Sequence, residues 1–397
     1  MKRLRPLSTA LLILGIIANP LSGQNADEPS ERSSTRRGFL PDTRFFGISN
    51  RYYADLTGLQ LGLVSNMVRG DLTGLQLAGL ANVTGGRMGG LQAAGLANVA
   101  GQSALGGQVS LLANVAGGAA GVQLTGLANV AAGGALLQAA GLANVAAEAF
   151  TWGQFSGLVN VAAGGSAVQL SGLANISASE SSLFQATGLA NVAEGDVVVQ
   201  AAGLVNVAGG SAWSQLGIIN VTPEARLFQI GILNVAGKNS GLPLGVINFI
   251  GDNPLRFSIM VDGYGQATTA VRSGNRHIYS VAGFQGDKDV SLDRLGSMLL
   301  GLGLNLPLNR AYLAVEYLHN QRVNALNRRE ATVGLRAGFR VSSDLALVAG
   351  TSVRWDDLTA GNAAGNLSSG WSLGLEWFRY FDVGNTSRDL GIDFGDF

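Results

Sequence analysis

Leu75-Gln76-Leu77-Ala78-Gly79-Leu80-Ala81-Asn82-Val83 is one copy of a phrase that recurs thirteen times between Gln60 and Asn248. Its Asn falls at positions 66, 82, 98, 114, 129, 144, 160, 175, 191, 206, 220, 234 and 248, in steps of 14, 15 or 16 residues. A unit this short cannot bury an apolar face alone, so the copies must stack on one another as an array. Counted from its Gln as zero, this copy places apolar residues at minus one, plus one, plus four and plus seven, Gly at plus three and Asn at plus six, and the copies around Gln92 and Gln169 fill the same slots. Connectors such as Gly85-Gly86, Gly117-Gly118 and Gly133-Gly134 are turn signals, and the aliphatic residues beside them read as strands.

Two all-β architectures compete for this pattern. In a β-solenoid each copy is one coil, with the apolar slots turned into a narrow core. Identical amides then stack as ladders along the outside or at corners. In one large antiparallel barrel each copy is one strand, with alternate residues facing lipid and lumen. Strict alternation fails at plus four, where Leu80, Leu96, Leu112, Leu127 and Leu142 would occupy a polar lumen face. The late copies around Gln215 and Gln229 are one residue shorter between Gln and Asn. Such a deletion would reverse a continuous strand's faces, but beside a Gly corner it is harmless. Both tests favour the solenoid. The scarcity of charge, eight residues from Asp71 to Gly237, suits a membrane better than water.

The expected structural ladder comprises Gln76, Asn82, Gln92, Asn98, Gln108, Asn114, Gln123, Asn129 and Gln138, and continues through Asn144, Gln154, Asn160, Gln169, Asn175, Gln185, Asn191, Gln200 and Asn206. Stacked identical amides bond above and below and rigidify an array. The same row, if exposed, would offer regularly spaced hydrogen-bond groups to a glycan or another host or envelope surface ligand.

Copies such as Gly74-Leu75-Gln76-Leu77-Ala78-Gly79-Leu80-Ala81-Asn82-Val83 and Gly203-Leu204-Val205-Asn206-Val207 resemble the repeat of the leptospiral-type surface repeat proteins. The resemblance covers roughly residues 55 to 250, and the segment beginning Gly241-Leu242-Pro243-Leu244-Gly245 is similar too. It implies an exported, envelope-associated protein and transfers no catalytic residue. Ala-Gly connectors stand here where relatives often carry Lys and Asp.

Lys2, Arg3 and Arg5 precede an apolar run from about Leu7 to Ala18, followed by Pro20, Ser22 and Gly23. Residues 1–23 therefore read as a secretory signal peptide and the polar residues 24–40 as a linker. The repeat domain is expected over 41–252. With no Cys, neither a disulfide framework nor a thiolate metal site can form. A formal net charge of zero argues against a nucleic-acid partner, which needs a concentrated basic face.

From 253 to 381 the pattern becomes period-two. Val333, Leu335, Ala337 and Phe339 alternate with Thr332, Gly334, Arg336 and Gly338, and Trp371, Leu373, Leu375 and Trp377 alternate with Ser372, Gly374 and Glu376. Strands of roughly ten residues with an apolar outer face match an outer-membrane-type barrel, and about eight would close one. A soluble antiparallel sheet is the alternative. A membrane partner is thus expected through this region, with Phe381 as an insertion signal ahead of an acidic tail, 382–397.

Chemistry is sparse. Gly370-Trp371-Ser372-Leu373-Gly374 matches a nucleophile elbow, yet the only histidines, His277 and His319, precede it, and Ser372 sits inside an amphipathic strand. Asp287, Asp289 and Asp293 lack the Gly and distal Glu of a calcium loop. No catalytic residue, metal site or cofactor is expected, and the chain reads as a non-enzymatic envelope protein with a structural or adhesive role. The alternative is an outer-membrane pore.

Overall fold

A computed structural model describes residues 44–178, 181–263, 265–286, 296–322, 329–355 and 367–380. The expected signal peptide, linker, Asp287–Asp293 cluster, Phe381 and acidic tail lie outside the described residues. Two compact units divide the chain, one up to Gly164 and one from Gly165 onward. Among the described residues every regular element is a strand. Parallel solenoid turns, about 13 in all, are followed by a closed eight-strand antiparallel barrel. The large antiparallel barrel considered above does not form, because the repeats pair in parallel.

One turn of the first unit shows how the repeat folds. Ala135–Ala140 is a strand, Gly141 and Leu142 make a corner, and Ala143–Ala146 is a second strand. The connector then leads to Thr151–Ser156 and Val159–Ala162 of the following turn. Pairing is in register: Gln123, Gln138 and Gln154 lie side by side, as do Asn129, Asn144 and Asn160. The corner requires glycine for lack of space, since a Cβ on Gly141 would sit 2.1 Å from the Gly126 carbonyl oxygen. Plus four breaks the alternation because the chain bends there. The shortened copies lose their residue at the same bend, and Asn206, Asn220 and Asn234 stay in register.

The expected placement of apolar and amide residues is reversed. Every Gln and Asn of the expected ladder is 0% exposed. Inside with them lie small or apolar residues near the connectors, such as Leu72, Met88, Ala104, Ala116 and Ala131. The corner leucines face outward, Leu142 at 44% and Leu204 at 45% exposed. Asn at plus six and Val at plus seven must face opposite sides of a strand, and the physical choice lies with hydrogen bonding. An amide has a donor and an acceptor on opposite sides, so identical stacked amides satisfy one another in a narrow interior.

In the second unit, eight strands from Leu255–Asp262 to Leu367–Arg379 close into the barrel, with Phe257 opposite Trp377 where the first strand meets the last. Outward positions are aliphatic or aromatic and solvent-exposed, among them Ile259, Leu302, Leu313, Leu335 and Leu373. The short connections 275–277, 309–310 and 341–344 lie at one rim.

Candidate functional site

The amide core and the barrel lumen hold nearly all the buried polar chemistry. In the first unit, Asn144 Nδ2 donates to Asn160 Oδ1 at 2.9 Å and to the Phe155 carbonyl at 2.7 Å, while Asn129 Nδ2 donates to Asn144 Oδ1 at 3.0 Å. Gln138 Nε2 donates to Gln123 Oε1 at 2.8 Å and to the Val145 carbonyl at 3.1 Å. The Asn row therefore donates towards the C-terminal turns and the Gln row towards the N-terminal ones. The second unit repeats both senses, with Asn191 donating to Asn206 and Gln200 to Gln185. Buried and engaged with one another, these amides present nothing to a glycan. Asn82, Asn175 and Asn220, each followed two residues on by the Ser or Thr of a glycosylation sequon, are equally enclosed.

What the turns present to the outside is aliphatic. On the face of the second strand the outward pairs are Ala81 and Val83, Ala97 and Val99, Ala128 and Val130, and Val205 and Val207. The other face carries Leu75 and Leu77, Val122 and Leu124, and Val168 and Leu170. Among the described residues charge is sparse, on connectors as at Asp71 and Asp196 or within strands as at Arg51, Glu224, Arg226 and Lys238. Asp71 accepts from the Arg87 backbone N–H at 2.7 Å, and Asp196 accepts from the Ser211 N–H and hydroxyl.

Inside the barrel, charges from distant strands converge. Glu316 accepts from Arg272 Nε at 2.6 Å, Arg272 Nη2 at 3.0 Å, Arg336 Nη1 at 2.8 Å and the Tyr279 hydroxyl at 2.7 Å. Glu376 lies 3.5 Å from Arg336 and 3.9 Å from Arg272, and accepts from the Tyr312 hydroxyl. Arg256 stacks over Tyr279 with its guanidinium 4.1 Å from the ring centroid. Both glutamates are essentially sealed from solvent. Glycines on the inner face make room for the rings: a Cβ on Gly303 would lie 2.2 Å from Tyr279, and one on Gly338 2.1 Å from Tyr312. At the rim with the short connections, a cavity of about 400 Å³ is lined by residues including Arg256, Arg340, Tyr279 and Tyr312. Sequence reasoning placed Arg336 and Glu376 on the inner face but missed the network. Its signal was the charged residues at inward parity in otherwise apolar strands.

Ser372 sits in mid-strand, opposite Asp262 on one side and Gly350 on the other, rather than at a strand-to-helix turn. Of the histidines, His277 lies in a rim connection and His319 in a barrel strand.

No protein-family profile matches the chain, and no curated protein does. Among solved structures, the chain is similar over 32% of its length to a de novo designed transmembrane β-barrel, covering 95% of that chain at 14% identity and a TM-score of 0.25. A second designed barrel, solved by NMR in solution, is covered over 98% of its length at 15% identity and a TM-score of 0.24. Neisserial surface protein A is covered over 94% at 12% identity and a TM-score of 0.18.

Proposed function

We propose that this chain is a non-enzymatic envelope protein in which an outer-membrane barrel anchors a β-solenoid that serves as a structural or adhesive element. The observation that carries this is the barrel's inversion, with exposed leucines and aromatics outside and an ion-paired, hydrogen-bonded interior. That arrangement suits a wall in contact with hydrocarbon. Export through residues 1–23 supplies the route.

The pore reading is disfavoured. Eight strands enclose a space that side chains can fill, and Tyr279, Tyr312, Arg272, Arg336, Glu316 and Glu376 fill it. A glycan ligand is not supported at the amides, so adhesion would fall to loops or connectors.

Refolding the full chain into phosphatidylcholine vesicles tests the anchor. Flotation with the vesicles and a heat-modifiable gel mobility are expected, without stable conductance across a planar bilayer. A chain that stays monomeric in plain buffer and fails to float would overturn the proposal, and steady single-channel currents would revive the pore.

A further inference from the structure

The second unit contains solenoid turns as well as the barrel, and the way they join fixes the direction of the stack. Within the turns, Asn234 Nδ2 donates to Asn248 Oδ1 at 2.7 Å, along the stacking direction. Asn248 in turn donates from Nδ2 to Ser280 Oγ at 2.8 Å and to the Ser273 carbonyl at 3.2 Å. Its backbone N–H donates to Ser273 Oγ at 2.8 Å. Where one more turn would stand, the ladder meets two serines of the barrel.

Those serines face outward. Arg272 and Tyr279, their neighbours in the strands Ala267–Gly274 and Ile278–Gln285, reach Glu316 in the lumen, so Ser273 and Ser280 have the opposite parity. They are nonetheless only 1% and 3% exposed. The last turn therefore abuts the outside of the barrel wall end-on, beside the rim with the short connections, and the stack runs across the barrel axis. A wall that faces hydrocarbon sends such a stack sideways into the bilayer.

The surface of these turns fits that surrounding. Between 165 and 250 the described charged residues are Glu194 and Asp196 on a connector, Glu224 and Lys238 paired with each other in the strands Ile219–Ile230 and Leu233–Asn239, and Arg226 two residues beyond Glu224. Among the described residues the Gly-Leu corner and the second-strand face carry no charge, and the first-strand face carries one, Arg226, near its connector end. The backbone N–H and C=O groups of the strands pair from turn to turn, as a segment in lipid requires. A body apolar on three sides and charged along one edge has the distribution of an element embedded in one leaflet with its charged edge at the headgroups.

We propose that the solenoid turns of the second unit lie in the membrane, acyl chains covering both sheet faces and the Gly-Leu corner, with the connector edge at the headgroup level. This rests on the barrel being a membrane anchor. Its occupant is bilayer lipid, not a second copy of the chain.

The chain has no Cys, so single cysteines can be introduced freely. In the full chain refolded into phosphatidylcholine vesicles, Leu204→Cys probes the corner, Val207→Cys a sheet face, Lys238→Cys the connector edge and Leu335→Cys the barrel wall. Each carries a fluorophore and is challenged with brominated acyl chains; unlabelled samples are challenged with a membrane-impermeant, charged thiol reagent. Quenching at 204, 207 and 335 with loss of reaction at those sites, and reaction without quenching at 238, is the expected result. Quenching at 335 with free reaction at 204 and 207 overturns the inference and leaves the anchor standing. Absence of quenching at 335 overturns the anchor itself. Protection at 204 and 207 without quenching, together with disulfide-linked dimers, assigns the surface to a second copy and overturns the lipid assignment. Val207→Cys decides the matter should Leu204→Cys fail to fold.

Discussion

Replacing Asn144 with leucine tests whether reciprocal amide bonding holds the solenoid core. The side chain makes three close hydrogen bonds, with Asn129 at 3.0 Å, Asn160 at 2.9 Å and the Phe155 carbonyl at 2.7 Å. At about 1 kcal/mol net for each, their loss costs about 3 kcal/mol. The Asn129 and Asn160 amides each lose a partner in a dry interior, which adds about 1–3 kcal/mol. Burying leucine in place of the amide returns about 2 kcal/mol. The balance is a destabilisation of about 3 kcal/mol, roughly a hundredfold in the local opening equilibrium. Amide hydrogen exchange of the full chain in detergent micelles reads that equilibrium where reclosing is fast. Protection across residues 128–162 should fall by that factor, while the barrel strands keep theirs. Asn144→Asp should be worse, because it removes the donor and turns a carboxylate towards carbonyl oxygens. Unchanged or increased protection in Asn144→Leu would refute the reasoning and mean that shape alone holds the amides in place.

Gly141→Ala should destabilise by about 1–3 kcal/mol, since its Cβ would meet the Gly126 carbonyl at 2.1 Å, whereas Gly89→Ala, with a nearest contact of 3.7 Å, should be tolerated; melting temperatures of the two variants check the contrast. Glu316→Ala leaves Arg272 and Arg336 without their shared carboxylate and should cost about 3–5 kcal/mol, visible as a lower temperature for the heat-induced gel shift of the barrel. Leu335→Arg, on the outer wall, should cost about 2–4 kcal/mol of folding into vesicles if that residue lies near the bilayer midplane. A much smaller cost would place this wall in water or near the interface.

The division between what could and could not be read from the sequence follows the physics of alternation. A one-residue deletion beside Gly217 and a leucine out of phase at plus four were enough to locate a corner, and with it the solenoid. Whether Asn or Val faced inward was not decidable by that means, because alternation fixes only that they differ. Hydrophobicity favours valine inside, but a parallel in-register stack gives each buried amide an identical partner, and that outweighs the usual rule. The barrel was legible for the same reason the solenoid's faces were not: its inward residues are charged and its outward ones aliphatic. The meeting of Arg272 with Glu316, 44 residues apart, depends on barrel closure and left no mark on local spacing.

The opposed senses of the two amide rows have an electrostatic consequence. A file of carboxamides all pointing one way would sum, like the peptides of a helix, to fractional charges at its two ends. Such a dipole is poorly screened where the surroundings are apolar and offer no mobile ions. Because asparagines donate in one direction and glutamines in the other, the two files offset one another. Turns can then be added to the stack without building up a field along it, leaving its ends close to neutral.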